Sequence, residues 1–161
     1  MKKVKYPSIK NFFSKYEKLI SKTQGHSRWK FYQYIIPKLL QNNEPVFILE
    51  TGTMWSPFTY EENMGAFTLI MADFIKNFTG GKIYTVDISF ENIQKCKKNT
   101  VGLHDVIEFV NLDSINFLKN ISEYQSKKFD LIYLDSYDFE FPNPHPSAQH
   151  HLNELIAIYP K

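Results

Sequence analysis

The chain has 161 residues, enough for one compact domain with a core of its own. Its 43% hydrophobic and 16% aromatic content excludes a disordered polymer, and no apolar run approaches the roughly 18 residues of a membrane span. The net charge of +2 hides an asymmetry: residues 1–43 hold ten Lys or Arg against one acid, Glu17, and the rest is acidic.

Residues 8–22 place Ile9, Phe12, Phe13, Tyr16, Leu19 and Ile20 at helical spacing between lysines, after a capping Ser8. A second helix is expected from about Ser27 to Gln41, with Pro37 as a kink or break. Residues 1–43 thus read as a basic helical cap on a main domain of residues 44–161. Its lysines read as a solvated face set against the acidic body, and nucleic acid is disfavoured because the cations are dispersed. The start MKKVKYPSIKNFF lacks a continuous apolar segment and does not read as a secretory signal. The single cysteine, Cys96, reads as a buried thiol. A cytoplasmic location is the expectation.

From Glu44 the pattern changes. Pro45 to Leu49 is a short apolar run suited to a strand buried on both faces. A polar loop and a helix from about Asn63 to Phe78 follow. Lys82 to Asp87, Val106 to Val110 and Phe129 to Asp135 read as three further strands. Helices are expected from Ser89 to about Asn99, from Ser114 to Ile121 and from about Pro146 to Ile158. Alternation of strands and helices predicts an α/β fold: a doubly wound, Rossmann-like parallel sheet of order 3-2-1-4. Ligands of such sheets sit at the carboxyl ends of the strands, where the order reverses.

Polar residues stand at all four of those ends. Glu50-Thr51-Gly52-Thr53 follows the first strand, and Asp87 closes the second. Asp113-Ser114 follows the third, and Asp135-Ser136-Tyr137 follows the fourth. Asp87 could accept both hydroxyls of a ribose or cap the next helix. Asp113 and Ser114 could cap a helix or meet an adenine amino group. The first turn lacks the second glycine of a G-x-G-x-x-G fingerprint, which disfavours a pyrophosphate-bearing dinucleotide. His145, between Pro144 and Pro146, could serve as a general base beside Asp135. His150 and His151 stand close by; His26 and His104 have no such context.

The segments ETGTMWSPFTYEENMGAFT (50–68), Val86-Asp87-Ile88 and FDLIYLDSYD followed by NPHPSAQHHLNEL resemble the class I S-adenosylmethionine-dependent methyltransferases. The resemblance implies methyl transfer to an oxygen or nitrogen of a small-molecule or sugar acceptor. Glu50, Gly52, Gly65 and Thr68 would shape the methionine pocket, with Thr53 also among the cofactor-binding residues. Asp87 would bind ribose, with Ile88 beside it, and Asp113 and Ser114 would lie near adenine. Asp135 would lie by the methyl group, catalytic with His145. In metal-dependent relatives a divalent ion such as Mg would sit at the position of Asp135. The alternative is a non-catalytic or truncated nucleotide-binding module. Two departures stand out. Asp87 follows Gly52 by 35 residues, most of the excess lying in a lid-like loop from Met54 to Asn63. The resembled family also continues past the equivalent of Lys161 with further strands. A four-stranded sheet would leave FDLIYLD as an open apolar edge, so the chain is expected to be a piece of a longer protein or to self-associate there.

Overall fold

The computed structural model describes residues 8–20, 26–41, 44–56, 66–124, 128–138 and 142–159. In chain order, the first elements are α1 (Ile9–Ile20), α2 (His26–Leu40), β1 (Val46–Thr51) and α3 (Phe67–Phe74), the last continued by a π turn at Ile75–Thr79. Then come β2 (Gly81–Asp87), α4 (Phe90–Asn99), β3 (Ile107–Asn111), α5 (Ser114–Lys119), α6 (Ile121–Tyr124), β4 (Leu131–Leu134) and α7 (His145–Ile158). The four strands form one parallel sheet of order β3-β2-β1-β4. The doubly wound topology read from the alternation is the one observed.

Side-chain alternation along the strands feeds two cores. Val46 and Ile48 of β1, Ile83 of β2, Ile107 of β3 and Leu131 and Tyr133 of β4 face one side. Leu49, Tyr84, Val86, Ile132 and Leu134 face the other, against Phe117 and Leu118 of α5 and Ala157 of α7. The first core also contains Phe12 and Tyr16 of α1 and Trp29, Tyr32, Ile36 and Leu39 of α2, packed with Phe67, Ile70 and Phe74 of α3. The N-terminal helices therefore share the core of the sheet. Pro37 lies inside α2 without ending it. Lys15 reaches the buried Asp73 of α3 at 2.9 Å, and the Tyr16 hydroxyl donates to the same carboxylate at 2.6 Å. At Lys15, the basic face does meet an acid of the main body.

Three boundaries differ from the sequence expectation. β1 extends through Glu50 and Thr51, which pair in register with Thr85 and Val86. Polar residues suggested a turn there, but the sheet buries them and supplies hydroxyl partners. The third helix changes to π geometry at Ile75, where the amide of Gly80 returns to the Ile75 carbonyl at 2.8 Å. Gly81 then starts β2 at φ +98; a Cβ there would lie 2.0 Å from the Val46 carbonyl oxygen. β4 is shorter than the apolar run that announced it; just before it, Asp130 accepts the Phe47 amide on its side chain and donates its own amide to the Phe47 carbonyl, both at 2.8 Å. β4 is an edge of the described sheet. Further along the chain, α7 exposes Leu152, Leu155 and Ile156, and Tyr159 just past its end is exposed as well. Among the described residues no helix is long and apolar enough to cross a membrane.

Candidate functional site

The chain reverses direction across the sheet between β1 and β4, and the turn after β1 is forced by close approach. Gly52 has φ +78, and a Cβ on it would meet the Asp135 carbonyl oxygen at 2.3 Å. The Gly52 amide donates to Val86 at 2.8 Å, and the Asp135 amide donates to the Thr51 carbonyl at 3.0 Å. Glycine is therefore required here by the neighbouring strand exit, independently of any ligand.

A cavity of about 180 Å3 opens at the carboxyl ends of the strands. Gly52 supplies the β1 side, and β2 and its exit supply Val86, Asp87 and Ile88. Asp113 and Ser114 line it from the β3 exit, Ser136 and Tyr137 from the β4 exit, and His150 from α7. All four strand ends singled out in the sequence thus converge on one space.

Asp87 is held firmly. Its Oδ1 accepts the Ser89 amide at 2.7 Å and its Oδ2 accepts the Thr53 amide at 3.3 Å, with the Asn92 side chain 3.3 Å away. The Asn111 side chain donates to the carbonyls of Asp87 and Ile88, both at 2.9 Å, and ties the β2 exit to β3. Ser89 caps α4 by accepting the Asn92 amide, and Asp113 caps α5 by accepting the Asn116 amide at 2.9 Å. Ile88 is 74% exposed at the cavity rim, an apolar surface with no core partner to explain it.

Glu50 and Thr68 lie elsewhere. Glu50 is buried beneath the β1 turn, where Oε2 accepts the hydroxyls of Thr68 at 2.6 Å and Thr85 at 2.8 Å. The Thr85 hydroxyl also lies 2.7 Å from that of Thr53. Burial pushes the Glu50 carboxyl up to about 8; the two threonine hydroxyls oppose the shift and the charge of Asp135 adds to it. Burial likewise pushes the Cys96 thiol up to about 11, so this cysteine is an inert core group. Glu50, Thr53 and Thr68 support the turn from below and do not line the cavity.

The residues expected to react are the least enclosed. Asp135 is exposed, and His145 is exposed at the first position of α7; neither lines the cavity. The histidine that does is His150, one helical turn before the buried Glu154. Its i, i+4 spacing to Glu154 was visible in the sequence as the signal of a paired face. Ser136, Tyr137 and Glu154 also belong to this region, and sequence reasoning assigned them no role. Gly65 lies outside the described residues, and the loop expected from Met54 to Asn63 is described only as far as Ser56. No group of three or more His, Cys, Asp or Glu among the described residues could hold a metal ion. No model of a known protein family and no curated protein matches the chain.

Proposed function

We propose that this chain binds the nucleoside portion of S-adenosylmethionine and forms the cofactor-binding part of a methyltransferase. The observation that carries this reading is the convergence of Asp87, Ile88, Asp113 and Ser114 on one cavity at the strand-order reversal. The residues suit an adenosine. Asp87 offers carboxylate oxygens for a ribose diol and is already fixed by backbone and side-chain donors. Ile88 and the ring of Tyr137 offer apolar surface for a base. No turn in the cavity presents the glycine pattern that cradles a pyrophosphate. At about 180 Å3 the cavity is smaller than the roughly 300–1,000 Å3 that encloses a drug-sized ligand. It suits one end of such a ligand.

When bound, the cofactor supplies a methyl group activated by its sulfonium. The contribution of this chain is orientation: Asp87 fixes the ribose, and Gly52 lets the β1 turn run close to the β4 exit. The acceptor is proposed to be an oxygen or nitrogen of a small molecule or sugar.

A second reading, a binding module without catalysis, is favoured by the positions of Asp135 and His145 outside the cavity. Calorimetry with S-adenosylmethionine, S-adenosylhomocysteine and NAD separates the possibilities. Binding of either sulfur compound but not NAD is expected. Absence of both sinks the proposal, and binding without turnover on any acceptor favours the module. Asp87→Ala should weaken binding at least tenfold, the loss expected when hydrogen bonds to a charged acceptor are removed. An unchanged affinity would refute the ribose role.

A further inference from the structure

One end of the cavity is closed by a short polar chain. Ser114 Oγ lies 3.2 Å from His150 Nε2 and 3.5 Å from Ser136 Oγ. Ser136 donates to Glu154 Oε1 at 2.6 Å, and that same oxygen lies 3.7 Å from His150 Nε2. Glu154 is 0% exposed, yet its Oε2 has no hydrogen-bond partner among the described residues. An unused acceptor of this kind is costly in a folded protein. Ser136 and His150, which approach its other carboxylate oxygen, both line the cavity.

We infer that Glu154 sets the hydrogen-bond polarity of this end of the site, making it selective for a base that presents an acceptor ring nitrogen to Ser114. The inference rests on the adenosine reading above. A buried carboxyl oxygen beside an imidazole nitrogen favours the tautomer with its proton on that nitrogen. His150 Nε2–H then donates to Ser114 Oγ. The hydroxyl hydrogen of Ser114 is released from His150 and directed to the cavity, since Ser136 Oγ is at the 3.5 Å limit of a useful bond. A purine ring nitrogen accepts such a hydrogen; an exocyclic amino group does not. The Tyr137 ring lies 5.4 Å from that of His150 and lines the cavity beside it. Ser114 is the contact, and Glu154 is a positioning residue that acts through His150.

The test uses the full chain and S-adenosylhomocysteine, alongside its 1-deaza, 3-deaza and 7-deaza analogues, by calorimetry. Glu154→Gln keeps the size of the side chain but places a donor where an acceptor stood. It should weaken S-adenosylhomocysteine binding roughly three- to tenfold, the span of one neutral hydrogen bond. Ser114→Ala should lose a similar factor, and the double variant no more than Ser114→Ala alone. For one of the three deaza analogues the wild type and Glu154→Gln should bind alike, a result that a merely structural role for Glu154 would not produce. His150→Ala, at a half-buried position, carries the same expectation without altering the buried carboxyl. Wild-type affinity in both Glu154→Gln and His150→Ala overturns the inference, as does an equal loss with all three analogues. Failure of the wild type to bind S-adenosylhomocysteine overturns the adenosine reading itself and this inference with it.

Discussion

Replacing Glu50 by Gln should stabilise the protein at alkaline pH and leave it nearly unchanged in mild acid. The carboxyl is pushed from 4.5 up to about 8, chiefly because burial removes its charged form from water. The folded chain therefore retains a proton between these two values that the unfolded chain has released. Stability then falls as pH rises through this window, by about 1.4 kcal/mol per unit for one proton. Between pH 5 and pH 8 the Glu50 contribution should decline by about 4 kcal/mol. A glutamine carbonyl can accept the Thr68 and Thr85 hydroxyls as Oε2 does, but it has no proton to lose. Urea unfolding of both proteins at pH 5 and pH 8, extrapolated to water, gives the difference directly. Other titrating groups cancel between the two chains. The expected outcome is a variant that gains several kcal/mol over the wild type between the two pH values. A difference that is the same at both values would show that Glu50 is already ionised in the fold, and the account of the buried turn would fail.

Two further changes probe the scaffold around the site. Gly52→Ala forces a residue with a side chain into φ +78 and places its Cβ 2.3 Å from the Asp135 carbonyl oxygen. It should cost on the order of 1–3 kcal/mol from the backbone conformation alone, with more from the displaced β4 exit, measured as a lowered urea midpoint; a neutral result would refute the close approach. Asp73→Ala strips the buried acceptor shared by Tyr16, Lys15 and the Asn77 side chain. It should cost about 1–3 kcal/mol, because the Tyr16 hydroxyl is left in a buried place without that partner. If α1 is held by its apolar face alone, Tyr16→Phe and Asp73→Ala will both prove neutral in the same unfolding assay.

The sheet order could be read from the sequence because each strand announces itself twice, by an apolar run and by a polar residue at its exit. The strand ends were less legible where polar residues continue a strand. Glu50 and Thr51 read as turn chemistry, and only the pairing with Thr85 and Val86 shows that they are buried sheet residues. A strand-end acid such as Glu50 can face the cavity above the sheet or the core beside it. Alternation decides between these, and it can be read only once the register is known. His150 was hidden for a different reason. Three histidines stand close together in sequence, and local context favoured His145 between two prolines. The helix turns His145 outward and brings His150 to the cavity, a selection made by the packing of α7 on α5.

The acids at the strand ends also show why capping and ligand binding are poor alternatives to weigh against each other. Asp113 spends Oδ1 on the Asn116 amide and still lines the cavity. Asp87 holds the amides of Ser89 and Thr53 and does the same. A carboxylate has about four acceptor positions, so the single bond on Asp113, and the two amides and the Asn92 side chain on Asp87, still leave room for a further donor. Those bonds also fix the rotamer before a ligand arrives, and the ordering entropy is met during folding instead of binding. Asp135 differs in position. It stands at the fourth strand end, exposed and outside the cavity, with no helix beginning beside it; α7 starts ten residues later. The β2 and β3 ends of the cavity are thus lined by acids that the fold itself employs as caps and anchors.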